Sequence, residues 1–221
     1  MSVIDPAILY FGTPVALIST RNADGSANLA PMSSAWWLGR SCLLGFGARS
    51  HTPANLRRTH ECVINLPSVE QVDAVDRLAR TTGSDPVPPH KLAMGYRHHR
   101  DKFGVAGLTP LDADIVAALR VAECPVQLEA VLEAEHPLAA HDPLRAGHLV
   151  AFEMRVVRVH VHDAIRVAGS TDRIDPDLWR PLIMSFTQFY GLGGRVQHST
   201  LSEIPESAYR PRPTTRPLAT S

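Results

Sequence analysis

The most constraining stretch is a strict alternation past the middle of the chain. Val126, Leu128, Ala130 and Leu132 take one parity and Gln127, Glu129, Val131 and Glu133 the other, the pattern of a strand that buries one face. A second long strand follows, in which Val150, Phe152, Met154 and Val156 share one parity and Val157, Val159 and Val161 take the opposite one. A phase switch inside a continuous strand predicts a bulge or a barrel corner near Val156.

Shorter elements lead up to this pair. Residues 9–19 are mostly apolar and β-prone, Asn22-Ala23-Asp24-Gly25 supplies turn chemistry, and a second extended stretch runs through Met32, which together read as a hairpin. CLLGF (42–46) and CVINL (62–66) are apolar runs bounded by Gly, Ser and Pro, as buried strands usually are. Between them a helix start is signalled by Thr52 as N-cap and Pro53 at the first helical position. Ser68 with Gln71 reads as a capping box, and Val69, Val72, Val75, Leu78 and Ala79 recur at the spacing of an amphipathic helix. Three prolines fall within residues 83–90, so residues 82 to about 102 read as a long surface excursion and a candidate lid.

Length and composition point to one domain. The 221 residues, 44% apolar and 20% charged, suffice for a sizeable core. Residues 1–204 form that domain, and 205–221, rich in Pro, Arg and Thr, a tail expected to be mobile from Pro211 onward. Lys plus Arg and Asp plus Glu both number 22, with no basic stripe interleaved with aromatics, which gives a nucleic-acid partner little electrostatic support and favours a small-molecule one. No apolar run approaches the ~18 residues of a membrane span, and Met1-Ser2-Val3-Ile4-Asp5-Pro6 lacks a basic segment ahead of an apolar one. A cytoplasmic protein without a membrane partner is expected. Cys42, Cys62 and Cys124 form no CxxC pair and read as buried thiols.

Two segments carry candidate chemistry. In RSHTPANL (49–56), a strand runs into a helix start supplied with Arg49, Ser50, His51, Thr52 and Asn55. Free backbone N–H groups, a hydroxyl and the cations Arg57 and Arg58 beyond them suit a phosphate; an ordinary helix cap fits the same residues. In NLAPMSSAWW (28–37), Asn28, Ser33 and Ser34 offer hydrogen bonds to a polar planar ligand, with Ala30 and Met32 between them. The alternative is strand and turn residues that satisfy local backbone.

Other signals are weaker. His160 and His162 lie two apart and so share a strand face, a metal-binding geometry, but the sequence identifies no third ligand and no metal site is assigned. Gly191-Leu192-Gly193-Gly194 does not complete GxGxxG, and no G-x-S-x-G or P-loop occurs, so Rossmann binding and serine hydrolysis lack their signatures. Trp36, Trp37, Trp179 and Phe186 read as core or interface residues rather than stacking platforms.

The two candidate segments, in this order, resemble the flavin reductase-like family of FMN-binding split β-barrels. PVALISTRNADGSANLAPMSS (14–34) is similar to the family's strand, turn and N-x-A-P-x-S opening, and RSHTPANL to its phosphate region. Asp101-Lys102-Phe103 through Gly107-Leu108 is similar to its D-K-F-x-x-x-G-L element, and ECPVQLEA (123–130) to a strand entered through an E-C-P-like bend. The resemblance implies a mainly β fold with peripheral helices, a split barrel whose closure removes strand edges, and FMN, or alternatively FAD, near a homodimer interface. It implies hydride transfer from NAD(P)H, as co-substrate, to flavin, with a partner monooxygenase as one destination for reduced flavin. His148, in GHLVAFEM (147–154), occupies the place of a histidine that faces the nicotinamide, although Phe152 stands where the family more often has glycine. An FMN-binding electron-transfer protein, a flavin- or haem-binding module without turnover, and a metal protein built on the histidines remain alternatives.

Overall fold

A computed structural model describes residues 1–209. The first hairpin forms as its turn demands: β1 (Phe11–Pro14) and β2 (Ala16–Arg21) lead into the turn, and β3 (Ala27–Met32) returns antiparallel with Thr20 opposite Asn28. Gly25 turns the chain at φ +80, where an L side chain is strained. β4 (Ala35–Leu38), β5 (Ser41–Gly47), α1 (His51–Thr59) and β6 (Glu61–Leu66) follow. Next come α2 (Val72–Leu78), β7 (Thr81–Thr82), α3 (Pro89–Ala93), β8 (Arg97–His98) and α4 (Lys102–Ala106). The chain continues through β9 (Pro110–Leu111), β10 (Arg120–Val121), β11 (Val126–Leu138), β12 (Leu149–Val161), β13 (Leu182–Ser185) and β14 (Gln188–Gly191).

Seven strands join in the order β3-β2-β6-β11-β12-β5-β4, every neighbouring pair antiparallel. Among the described residues no ladder closes β3 onto β4, so the barrel is split; the Gly45 N–H donating to the Ser34 carbonyl at 2.8 Å carries the β4–β5 pairing back into the β3–β4 turn. Inside lie Ile18, Leu44, Ile64, Phe152 and Met154, all fully buried, each contributing about 1.5–3 kcal/mol of apolar burial. A second core outside the sheet packs Val75 and Leu78 of α2 and Phe103 and Ala106 of α4 over Leu17 and Leu29. β1, β13 and β14 form a separate three-stranded sheet.

Several expectations hold in detail. Glu129 pairs with Arg158 but Ala130 with Val156, so Val157 is the extra residue of a bulge where the phase switches. Gln71 Oε1 accepts from the Ser68 N–H at 2.9 Å, closing the capping box of a 3-10 turn that leads into α2. All three cysteines are buried and free, and burial pushes the Cys42 thiol up to about 12. Phe152 is wholly buried, edge-on to Phe46.

Three expectations are corrected. The N-cap of α1 is Ser50, not Thr52, and makes no side-chain cap hydrogen bond; Thr52 lies in the first turn with its hydroxyl engaged by Asn28 of β3, so a long-range partner replaces the local one. Residues 82–102 are not irregular throughout: Pro89 opens α3, suiting the missing N–H of a first-turn position, and β8 pairs in parallel with β7. β11 buries both parities from Val126 to Ala130, because residues 112–121 cover its polar face and supply partners to Gln127 and Glu129. Residues 205–209 of the expected tail include a 3-10 turn, Glu206–Tyr209, tied by an Arg173–Glu206 ion pair of 2.8 Å. The expectation for residues 211–221 lies outside the described residues.

Candidate functional site

The inner face of α1 is polar. Its buried residues are Thr52, Pro53, Asn55 and Leu56, of which only Leu56 is a large apolar side chain. Hydrogen bonds to the first hairpin therefore hold the helix in place. Asn55 Nδ2 donates to the Thr20 hydroxyl at 3.0 Å and to Asn22 Oδ1 at 2.9 Å, and His51 Nε2 donates to Asn22 Oδ1 at 2.7 Å. Asn28, 2% exposed, donates through Nδ2 to Thr20 at 3.3 Å and Thr52 at 3.2 Å, while its Oδ1 is buried with no partner. An acceptor left so costs about 1–3 kcal/mol unless a donor arrives.

These elements frame a cleft. A cavity of about 150 Å³ is lined by Asn28, Ala30, Ser50, His51 and Thr52 on the barrel side and by Lys91, Tyr96 and Lys102 opposite. A neighbouring cavity of about 370 Å³ is lined by Gly47, Arg49, Ser50, Pro88, His90, Lys91 and His148. Ser50 and Lys91 line both, so the two are parts of one cleft. Gly83 lets the excursion approach this closely, since a Cβ there would lie 2.4 Å from His51 Cδ2 and 2.8 Å from Asn28 Oδ1.

Among the described residues the lining carries cations and no carboxylate. Lys102 is 3% exposed, and burial first, then the Lys91 ammonium, holds it down to about 8. Burial lowers Lys91, whose ammonium sits 5.5 Å over the Tyr96 ring. His51 is lowered by burial and then by Lys102, His98, Lys91 and Arg58. Among the described residues neither lysine makes an ion pair. A buried, unpaired ammonium costs several kcal/mol, and an anion in the cleft removes that cost. The start of α1 adds the backbone N–H groups of His51 and Thr52 to the same place, the Ser50 N–H being taken up by the Gly47 carbonyl at 2.9 Å.

The structure brings together seven of the residues singled out by sequence: Asn28, Ala30, Arg49, Ser50, His51, Thr52 and His148. Met32, Ser33 and Ser34 are half-buried at the β3–β4 turn and line neither cavity. Asn55 faces the hairpin and supports the cleft from behind. Sequence reasoning missed Lys91, Tyr96 and Lys102. The available signal was Lys102 set beside Phe103 on a short apolar helix, a lysine with nowhere to snorkel.

His160 and His162 do not converge on a common ligand. His160 Nε2 donates to Glu129 at 2.6 Å, and His162 Nε2 donates to the Ala122 carbonyl at 2.9 Å. Asp114, Glu129 and His160 do bring ligand atoms within 4.8 Å of one another. Yet the Glu129 carboxylate already accepts from the N–H groups of Asp114, Ile115 and Val116, which marks it as an anchor for that loop.

Comparison with known proteins adds an independent line. The model of the family described as flavin reductase like domain matches residues 8–193. The "Uncharacterized protein YdfE" of Bacillus subtilis (strain 168) is 36% identical over 200 residues, covering 90% of this chain and 93% of that protein. Flavoredoxin of Desulfovibrio vulgaris (Miyazaki F) superposes with a TM-score of 0.72 at 19% identity, covering 92% of this chain and 100% of that one. Nitrilotriacetate monooxygenase component B from Bacillus cereus superposes with a TM-score of 0.70 at 20% identity, over 90% and 98%.

Proposed function

Because the chain belongs to the flavin reductase like domain family, we propose that it binds a flavin 5′-phosphate, FMN or the FMN half of FAD, and passes it a hydride from NAD(P)H. The observation that carries this reading is the buried Lys102 and its neighbour Lys91, unpaired and facing the start of α1. The residues present fit such a group: the lining is free of carboxylate, the lysines lack counter-ions, and Asn28 Oδ1 lacks a donor.

The flavin, when bound, supplies the chemistry by accepting a hydride at its N5 from the nicotinamide C4. Lys91, Lys102, the Ser50 hydroxyl and the N–H groups of His51 and Thr52 would hold its phosphate by charge and by oriented donors. Asn28 Oδ1 accepts from a ribityl hydroxyl or a ring N–H, and Thr52 fixes the Asn28 amide plane. Arg49 and His148 line the adjoining cavity and position the nicotinamide nucleotide there, Arg49 through phosphate and His148 through the carboxamide or ribose. None of these side chains acts as a nucleophile. Their contribution is orientation and exclusion of water around two rings that must meet face to face.

A homodimer accompanies this reading. Phe11, Trp36 and Leu38 are 71%, 54% and 75% exposed, and an apolar surface of this kind is what a second copy covers. A cytoplasmic reductase that hands reduced flavin to a monooxygenase completes the proposal, supported by the likeness to nitrilotriacetate monooxygenase component B.

The test is a visible spectrum of purified protein with added FMN, before and after anaerobic NADH or NADPH, with free flavin then offered in excess. Binding, bleaching and turnover of free flavin are expected. Bleaching without turnover would make the chain an electron-transfer protein, and binding without bleaching a flavin module.

A further inference from the structure

Of the 22 Lys and Arg residues, two are lysines, Lys91 and Lys102; the rest are arginine, and both lysines line the same cavity of about 150 Å³. The difference is chemical: a guanidinium stays charged, whereas an amine can give up its proton and become a nucleophile. Lys102 opens α4 and is 3% exposed, yet among the described residues its Nζ makes no hydrogen bond or ion pair and is not one of the fully enclosed polar atoms. The nitrogen is thus the part of the side chain that meets the cavity. It faces the Lys91 ammonium, the Tyr96 ring and His51, and no carboxylate among the described residues lines that space. Asp101, its neighbour in sequence, is turned back onto the Gly104 N–H at 2.8 Å. Burial and Lys91 hold Lys102 down to about 8, so at pH 8 about half of it is neutral, against well under ~1% of an ordinary lysine. A less basic amine is a weaker nucleophile, and by the proportionality that thiols show this cancels about half of the gain on a logarithmic scale, leaving roughly tenfold.

We propose that Lys102 is an acylation site whose donor is a small acyl phosphate, its phosphate seated on Lys91 and the first N–H groups of α1 and its carbonyl carbon presented to Lys102 Nζ. Of two amines that repel each other, the more enclosed gives up its proton first. That amine is Lys102, while Lys91, 5.5 Å over the Tyr96 ring, keeps its charge and holds the anion together with the N–H groups of His51 and Thr52. The Lys102 lone pair attacks the acyl carbon, the bond from that carbon to the phosphate oxygen breaks, and the amine proton passes to the departing phosphate. An amide and inorganic phosphate result, with no oxidant or reductant involved. The cavity is smaller than the ~300 Å³ at which ordinary ligand pockets begin, which limits the donor to acyl groups of about the size of acetyl. A thioester carries no anion beside its carbonyl and is not steered here. The transfer stands on the cavity alone. Its consequence rests on the proposed function: an amide at Lys102 is uncharged and fills the cavity, so acylation closes the place of the flavin phosphate.

The test incubates the full-length protein, free of flavin, with acetyl phosphate from pH 7 to 10 and follows acetyl transfer to Lys91, Lys102 and the α-amino group by peptide mass spectrometry. At pH 8 Lys102 is expected to react about tenfold faster than Lys91, and its rate should level off above a midpoint near 8. Inorganic phosphate should protect Lys102 and leave the α-amino group unprotected. Lys91→Gln, checked for an unchanged melting profile, should slow the transfer and move its midpoint to higher pH; phosphate protection of the wild type carries the same information without a substitution. A Lys102 that stays unmodified, or that reacts no faster than Lys91 and gains no protection from phosphate, overturns the proposal. Equal transfer from acetyl-CoA overturns the phosphate-bearing donor. Protein acetylated at Lys102 is then titrated with FMN and riboflavin. A loss of FMN affinity of about tenfold, the scale of a lost contact to a charged group, with riboflavin unchanged, supports both the acylation site and the flavin reading. Rapid, phosphate-sensitive acetylation that leaves FMN binding unaltered upholds the acylation site and removes the flavin phosphate from this cavity.

Discussion

Asn28 Nδ2 donates to the Thr52 hydroxyl at 3.2 Å, joining β3 to the first turn of α1 across 24 residues of chain. That one contact ties together the two segments whose chemistry stood out in the sequence, and it leaves the second atom of the same amide, Oδ1, without a donor. The site is therefore partly built by residues that bind each other in order to be free for a ligand.

Thr52→Ala removes the acceptor and leaves Asn28 Nδ2 with Thr20 alone. The flavin dissociation constant is expected to rise by the equivalent of about 1–3 kcal/mol, with a smaller loss of unliganded stability. Parallel flavin titration and thermal melts check this; equal losses in both would make Thr52 a purely structural residue.

Lys102→Met should stabilise the unliganded protein and weaken the binding of FMN far more than that of riboflavin. Burial and Lys91 hold Lys102 down to about 8 from its ordinary 10.5, so between those values the unfolded chain binds more protons than the folded one. Stability then rises with pH across that window, by up to about 3 kcal/mol. Melting temperatures from pH 7 to 10.5 should show the rise in wild type and its absence in the variant.

Glu129→Gln should destabilise the fold by about 2–4 kcal/mol, since one carboxylate anchors three backbone N–H groups. Burial raises the Glu129 carboxyl, but the His160 hydrogen bond and those three N–H groups outweigh it and bring it to about 2. Its contribution is full above the ordinary carboxylate value of 4.5 and fades as pH falls toward 2. Denaturant melts at pH 7 and pH 3 should differ more for wild type than for the variant.

His148→Ala should slow reduction by NAD(P)H and leave flavin affinity nearly unchanged, because His148 lines the cavity next to the candidate phosphate site and not that site itself. A positioning contact of this kind is worth about 1–3 kcal/mol in kcat/KM. Anaerobic stopped-flow at several NADH concentrations separates a weaker complex from a slower hydride step, and a variant equal to wild type in both would assign His148 a structural role.

Light scattering should give twice the mass of one chain, and Trp36→Asp should shift it toward the monomer by charging an exposed apolar face. A wild-type monomer that retains flavin would remove the dimer from the proposal.

The sequence by itself determined the features that rest on short-range rules. Parity placed β11, β12 and the bulge at Val157; turn chemistry placed the first hairpin; Ser68 and Gln71 placed the start of the turn before α2. It also marked Asn28 and the segment from Arg49 to Asn55, because amides, hydroxyls and cations beside a helix start are unusual on otherwise apolar elements. Only the tertiary structure decided the charge of the site. Lys91 and Lys102 are brought to Ser50 and His51 by a segment that, read locally, looked like proline-broken loop, and whether a lysine is solvated or buried depends on what packs over it. The same reason explains Glu129 and Thr52. Alternation cannot see the loop at residues 112–121 that buries the polar face of β11, and cap propensity cannot see an asparagine on a distant strand that claims the hydroxyl first.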